Sequence, residues 1–199
     1  MKTLSGVCVL LAVLLFLQSV AAQKSTQNLV SNGDFEKFTG DVPDQWDVNN
    51  IPGTLTVVSP AKTGASGGRA VRIEVKDFYG SIIAGYTCQK NIETRGKDLK
   101  LTGHFAVQAA GKDQGVIILC FQNASGSTIG TAEEYIDDTK GKFIDFAKEI
   151  KAPAGAAAVH LRLTILPSQG NEKAHAGSWL MCDDVGLAAI AIQEKPVVQ

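Results

Sequence analysis

Paired acidic residues are the first candidates for chemistry in this sequence. Glu133-Glu134 and Asp137-Asp138 stand close together, and glycoside hydrolysis needs two carboxylates that face each other across a cleft. Their neighbours Thr139-Lys140-Gly141 are typical of an exposed loop, so a shared cleft is not expected. The segment Gly64-Ala65-Ser66-Gly67-Gly68 matches the Gly-x-Ser-x-Gly motif of a nucleophile elbow, but it leads into a strand at Arg69 instead of a helix. The sequence therefore predicts no catalytic site.

Acidic residues also mark the front of the chain, in the segment Asn28-Leu29-Val30-Ser31-Asn32-Gly33-Asp34-Phe35-Glu36. If Phe35 points into a hydrophobic core, Asp34 and Glu36 lie together on the opposite side. This pattern predicts a buried ring between two solvent-facing carboxylates.

A second acidic pair closes the domain, in Cys182-Asp183-Asp184-Val185-Gly186-Leu187. If Val185 and Leu187 face the core, strand alternation places Asp183 and Met181 on their side and Asp184 on the other. A carboxylate on the inward side needs a cation or several N–H donors to offset its loss of hydration. Asp183 is thus the acidic residue most in need of a partner.

Cysteine and histidine offer little chemistry here. Cys88, Cys120 and Cys182 remain if the leader is removed, so at most one disulfide forms and at least one thiol stays free. No Cys-x-x-Cys occurs, and the three histidines are far apart. A structural zinc site and a thiol redox centre are therefore not expected.

Composition and the N-terminus narrow the class of protein. The chain carries 19 Lys and Arg against 20 Asp and Glu, too balanced for a nucleic-acid-binding protein. Its 45% hydrophobic content is enough for a core. The apolar run Val7–Leu17 follows Lys2 and precedes Val20-Ala21-Ala22, which predicts a signal peptide over residues 1–22 cleaved near Ala22. A membrane anchor is the alternative, but the run is short for a membrane span. We expect a secreted or periplasmic protein.

Apolar residues alternate with polar ones along most of the remaining chain, as expected for strands with one solvated face. The clearest segments are Arg69–Val75, Leu99–Val107 and Val159–Ile165, and the continuously apolar Val116–Phe121 predicts a central strand. Further strands are expected over Leu55–Val58, Ser81–Ile92 and Trp179–Ile190. The segment Phe143–Ile150 fits a helix or a strand, and a strand is preferred because its neighbours are strands. These patterns predict one all-β domain over residues 27–190, a sandwich or jelly roll, with a polar tail over 191–199.

Several motifs together resemble carbohydrate-binding modules with the galactose-binding-like jelly-roll fold. They are the front segment, Pro43-x-x-Trp46, the glycine-rich turn before Arg69, the strand around Gln89 and the closing Asp-Asp-Val-x-Leu. The resemblance implies a single jelly-roll β-sandwich that binds a polysaccharide or oligosaccharide without catalysis. Phe143 stands where many members have Trp, and Cys182 is unusual beside the aspartates.

The same resemblance implies a structural calcium that joins the two ends of the jelly roll. Calcium takes six to eight oxygen ligands. Glu36 and Asp183 match the family's ligand positions, carbonyls of residues 62–66 complete the shell, and Asp34 and Asp184 are the second choices. The alternative is that Glu36 and Asp183 are only solvated or hydrogen-bonded at strand ends.

Sugar recognition needs aromatic faces for C–H groups and planar polar groups for hydroxyls. Trp46 is expected in the core and Trp179 is ambiguous. Two alternating strands offer polar faces, one around His104 and the other around Arg162. If these strands are neighbours, they form the polar floor of a groove; the alternative is an ordinary solvated face. The predicted carbohydrate-binding residues are Phe78, Tyr79, Tyr86, His104, Gln108 and Arg162, with Tyr135 as a further candidate.

Two other classes of function stay open at this stage. A jelly-roll subunit for adhesion or assembly would expose a contiguous apolar patch, and a small polysaccharide-degrading enzyme would place two carboxylates in a cleft. The sequence determines neither the glycan nor the oligomeric state. Asn123-Ala124-Ser125 satisfies the N-glycosylation rule, which matters only in a eukaryotic secretory pathway.

Overall fold

The computed structural model describes residues 27–94, 96–168 and 173–190. These residues form thirteen strands and no helix, which confirms the predicted all-β class. The strands are β1 Phe38–Thr39, β2 Val42–Pro43, β3 Asp47–Val48, β4 Val58–Ala61, β5 Ala70–Phe78, β6 Ser81–Ala84, β7 Tyr86–Glu93, β8 Leu99–Gln108, β9 Asp113–Gln122, β10 Thr128–Ile136, β11 Ile144–Ile150, β12 Ala158–Pro167 and β13 Trp179–Ala189.

Two antiparallel sheets form the jelly-roll sandwich. The five-stranded sheet has the order β10-β9-β12-β7-β3, and the six-stranded sheet has the order β11-β8-β13-β5-β4 with β6 paired to β5. The core lies between them, where Leu119 and Leu161 of the first sheet and Leu101 and Leu180 of the second are fully buried. Alternation then leaves each sheet with a second, outer face.

Most of the strand predictions are confirmed, including the strand preferred for the ambiguous segment, which is β11. The continuously apolar run lies within β9, between β10 and β12. One prediction is displaced: Leu55 forms only an isolated bridge with Ile51, and the strand begins at Val58.

The predicted strand Ser81–Ile92 is two strands that meet at Gly85. The Gly85 amide donates to the Glu74 carbonyl at 2.9 Å, and a Cβ at Gly85 would lie 2.6 Å from the Val57 carbonyl oxygen. Because only glycine allows this close approach, the chain crosses here from β6 on the six-stranded side to β7 in the five-stranded sheet.

The predicted side-chain parity of the closing strand is wrong at Met181. The β8–β13 register shifts between Asp183 and Gly186, where Asp184 has φ 49°. A β-bulge adds one residue to one strand and so exchanges the faces beyond it. Leu180 and Val185 both reach the core, whereas Met181 and Trp179 lie on the outer face.

The predicted signal peptide, its cleavage near Ala22 and the polar tail 191–199 lie outside the described residues. Within the described ranges, the chain has no helix long and apolar enough to cross a membrane.

Candidate functional site

The structure distributes the predicted sugar-binding residues over three places. Strand β8, which carries His104 and Gln108, pairs with β11 and β13, whereas β12, which carries Arg162, pairs with β7 and β9. The hypothesis that these two strands are neighbours is therefore wrong. Alternation shows that a strand has a solvated face, but it does not show which sheet the strand joins.

Tyr86 and Arg162 meet on the outer face of the five-stranded sheet. The Arg162 guanidinium carbon lies 3.9 Å from the centre of the Tyr86 ring, a cation–π contact. The Arg162 Nε is buried and has no hydrogen-bond partner among the described residues. This stacked pair is the most distinctive arrangement on that face.

The surface beneath the pair is largely apolar. Cys88 and Ile118 are the cross-strand neighbours of Arg162, and Val116, one row away, is fully buried outside the main core. Burial raises the pKa of the Cys88 thiol, so this cysteine behaves as an uncharged apolar side chain. The face thus has a hydrophobic floor.

Polar side chains border the floor on one side. His160 Nε2 lies 3.2 Å from Asn91 Oδ1, and Asn91 has φ 56° at an irregularity of the β7–β12 register. Burial, with a smaller effect of the Lys90 charge, lowers the pKa of His160, which favours a neutral imidazole at pH 7. Lys90 itself pairs with Asp47 at 2.8 Å.

Tyr135 lies at the opposite edge of the same face, on β10. Its side chain is exposed at 42%, and its hydroxyl donates to Glu133 on the same strand. The exposed loop predicted around Thr139 does not include Glu133 and Glu134, because both lie in β10. Consecutive strand residues point to opposite faces, and Glu134 accordingly reaches Lys148 at 3.4 Å, so the two carboxylates do not face each other.

His104 and Gln108 lie on the outer face of the six-stranded sheet. His104 Nε2 is 3.1 Å from Asp145 Oδ1, and its Nδ1 is 3.3 Å from Asp184 Oδ2. Gln108 is the cross-strand neighbour of Trp179, over which Arg72 stacks at 4.4 Å. These residues form a second polar face, separated from Arg162 by the core.

Phe78 and Tyr79 occupy the third place, where β5 ends at Phe78 and the turn to β6 begins. Their ring centroids are 4.6 Å apart, but Phe78 packs partly against the core. Tyr79 is 93% exposed and has φ 53°. Of these two predicted residues, Tyr79 is thus the one with an exposed ring.

The two acidic residues predicted first for calcium contact the same loop. The fully buried Asp183 accepts the Ala65 N–H through Oδ2 and the Asp184 N–H through Oδ1, each at 2.8 Å. Glu36 Oε1 accepts the Arg69 N–H at 2.8 Å. The glycine-rich turn thus joins the front and back of the domain.

Two glycines of this loop let carboxylate oxygens approach the main chain closely. A Cβ at Gly64 would lie 2.4 Å from the Arg69 carbonyl oxygen and 2.5 Å from Asp183 Oδ2, and one at Gly68 would lie 1.7 Å from Glu36 Oε1. Two carboxylates and a carbonyl suit calcium, which also accepts water. No three His, Cys, Asp or Glu side chains of the described residues form a metal group, so main-chain carbonyls and water would have to complete the shell.

The second-choice ligands do not join this loop. Asp184 is turned toward His104, and Asp34 is exposed in the front turn. Among residues 62–66, the N–H groups of Ala65 and Ser66 and the Ser66 hydroxyl donate hydrogen bonds to Asp183 Oδ2.

No protein-family model matches this chain, and no curated protein sequence matches it. Solved structures do. The enzymatically active domain of tailspike protein 4 of bacteriophage CBA120 is 16% identical over 82% of this chain and 21% of that one, with a TM-score of 0.58. TmCBM61 in complex with β-1,4-galactotriose is 18% identical over 82% of this chain and 99% of that one, with a TM-score of 0.51. The CBM22-1 xylan-binding domain of Paenibacillus barcinonensis Xyn10C is 14% identical over 86% of this chain and 100% of that one, with a TM-score of 0.51.

These likenesses establish the fold. The chain spans about a fifth of the tailspike structure and nearly the whole of both modules. The described domain therefore has the jelly-roll fold of carbohydrate-binding modules, as the sequence motifs predicted.

Proposed function

We propose that this protein is a secreted, non-catalytic carbohydrate-binding module that binds a polysaccharide or oligosaccharide on the outer face of its five-stranded sheet. The observation that carries the proposal is the stacked Tyr86–Arg162 pair above an apolar floor. Pyranose rings present C–H faces to aromatic and apolar surfaces and hydroxyls to planar polar groups. This face offers both.

The extent of the face suits a chain of several sugars. Tyr86, Thr164, Val116 and Tyr135 form one cross-strand row, so the two tyrosines stand three strand spacings apart, about 14 Å. Tyr86 and Tyr135 would contact different units of one oligosaccharide.

Two further observations support the proposal. The modules of similar fold include one bound to β-1,4-galactotriose and one described as xylan-binding. Non-catalytic binding is supported by the acidic residues of β10, which point to opposite faces of the strand. Secretion rests on the predicted signal peptide.

Replacement of Tyr86 tests the site. We expect Tyr86→Ala to weaken binding to galactan or xylan about tenfold or more in affinity electrophoresis, as for other buried aromatic anchors. Tyr79→Ala is the matched control, because it removes the same side chain from the hairpin turn and should leave binding unchanged. His104→Ala reports on the six-stranded face and should also be neutral. If a control variant loses retardation while Tyr86→Ala keeps it, the proposed site is refuted. If no polysaccharide retards the wild type, the proposed function is refuted.

We also propose that one calcium ion binds beside the glycine-rich turn, held by Glu36, Asp183 and the Arg69 carbonyl. When bound, the ion would neutralise two carboxylates and stabilise the junction of the domain's ends. Calcium should raise the melting temperature of the wild type and of the control Asp34→Asn, but not that of Glu36→Gln. A melt of the wild type that is identical in calcium and in chelator contradicts this proposal and leaves glycan binding untouched.

A further inference from the structure

Arg162 has a charge that its surroundings do not balance. Its cross-strand neighbours Cys88 and Ile118 carry no counter-charge, and no described carboxylate lies within ion-pair distance. Arg72, stacked on Trp179 in the other sheet, differs in this respect, since its Nε bonds Glu74 at 3.1 Å. The Arg162 guanidinium is thus half-buried without an acidic partner among the described residues.

The stacking on Tyr86 does not satisfy the donors of Arg162. The five N–H bonds of a guanidinium lie in its plane, whereas the ring contacts the planar face at 3.9 Å. The buried Nε has no hydrogen-bond partner within residues 27–94, 96–168 and 173–190, and a buried unsatisfied donor is unfavourable, more so when charged. A ligand that carries negative charge would supply the counter-charge that this guanidinium lacks.

Three other ionisable side chains of this face are already engaged. Lys90 pairs with Asp47, His160 is bonded to Asn91, and Glu133 accepts the Tyr135 hydroxyl. Glu133 stands beyond Ile118, two strand spacings from Arg162, or about 10 Å. That separation is about one Debye length at 0.1 M salt, so Glu133 only weakly opposes an anion at Arg162.

We propose that the sugar bound on the five-stranded face is acidic, and that its carboxylate or sulfate group binds the edge of the Arg162 guanidinium. This inference rests on the proposed glycan-binding function. A planar fork of donors suits the paired oxygens of such groups, while the pyranose ring packs on the floor beside Tyr86. Arg162 would therefore distinguish acidic from neutral glycans.

The test compares three probes: polygalacturonate, a sulfated galactan and an unsubstituted galactan. We expect the wild type to bind at least one acidic probe about tenfold more tightly than the neutral one, and added salt to weaken only the acidic binding. Preference for the uronate or for the sulfate supports the inference and identifies the group. Equal binding of acidic and neutral probes, or binding of none of the three, overturns the inference. The proposed function is overturned only if the wild type binds no polysaccharide at all.

Two substitutions at Arg162 sharpen the result. Arg162→Gln should reduce binding to the acidic probe by a larger factor than binding to the neutral one, and Arg162→Lys should restore part of the salt dependence without the full affinity. Arg72→Gln is the matched control, because it removes a stacked arginine from the opposite face and should leave all three affinities unchanged. If Arg162→Gln weakens binding to the acidic and neutral probes by the same factor, the inference is overturned.

Discussion

Gln89 shows how one side chain fastens the front of the domain to the five-stranded sheet. It is only 7% exposed; its Oε1 accepts the Ser31 N–H at 2.9 Å, and its Nε2 donates to the Ser31 carbonyl at 2.9 Å. The Trp46 indole N–H donates to that carbonyl too, at 3.1 Å. Gln89 and Trp46, which belong to two motifs of the resemblance, thus donate hydrogen bonds to the same carbonyl of the front segment.

Removal of the Gln89 amide should lower the free energy of unfolding. Gln89→Ala leaves the Ser31 N–H without its partner, and we expect a loss of about 1–3 kcal/mol in the free energy of unfolding. Gln114→Ala is the control, since its amide bonds only Asp137 in an exposed pair and should cost much less. Urea denaturation of both variants measures the difference, and equal midpoints would show that Gln89 is not an anchor.

At the scale of elements, local signals predict strands but not their partners. The alternation in β8 and β12 is clear in the sequence, and both strands form where expected. Their assignment to opposite sheets depends on contacts between distant segments, which no local pattern contains. For the same reason His104 and Arg162 were predicted for one groove, and the bulge at Asp184 reversed the expected orientation of Met181.

The loop between β10 and β11 is held against β13 at a glycine. Gly141 has φ +71°, and a Cβ there would lie 3.1 Å from the Trp179 ring. Gly141→Ala should lose about 1–2 kcal/mol for the left-handed backbone and further stability by displacing the indole. Gly53→Ala has a matching φ of +69° with open space around it, so it should show the backbone cost alone. Urea titration followed by tryptophan fluorescence compares them, and the same midpoint and spectrum in both variants would contradict the contact.

At the scale of the whole molecule, the sandwich is closed by its two ends. The resemblance placed acidic groups from both ends at one junction, and Glu36 and Asp183 do contact one loop. Tyr86, Arg162 and Tyr135 are each candidates from the sequence, but no sequence pattern placed them on one face, because they belong to three separate strands. The fold was therefore more predictable than the site that it carries.

The first described residues complete the edge of the closing strand, and their removal tests how the molecule is held together. The Leu29 N–H donates to the Leu187 carbonyl at 2.7 Å, and Asn28 Oδ1 accepts the Leu187 and Val30 N–H groups, each at 3.0 Å. A chain that begins at Gln27 keeps these bonds, whereas one that begins at Val30 loses them. At about 1 kcal/mol for each bond, the shorter chain should be less stable by roughly 3 kcal/mol and melt about 6–12 °C lower.

An intermediate variant separates main-chain from side-chain effects in that comparison. Asn28→Ala in the longer chain removes the side-chain acceptor but keeps the Leu29–Leu187 bond, so its melting temperature should fall between those of the two chains. Thermal unfolding followed by circular dichroism measures all three proteins. If the chains beginning at Gln27 and Val30 melt together, the pairing of Asn28 and Leu29 with the closing strand contributes nothing to stability.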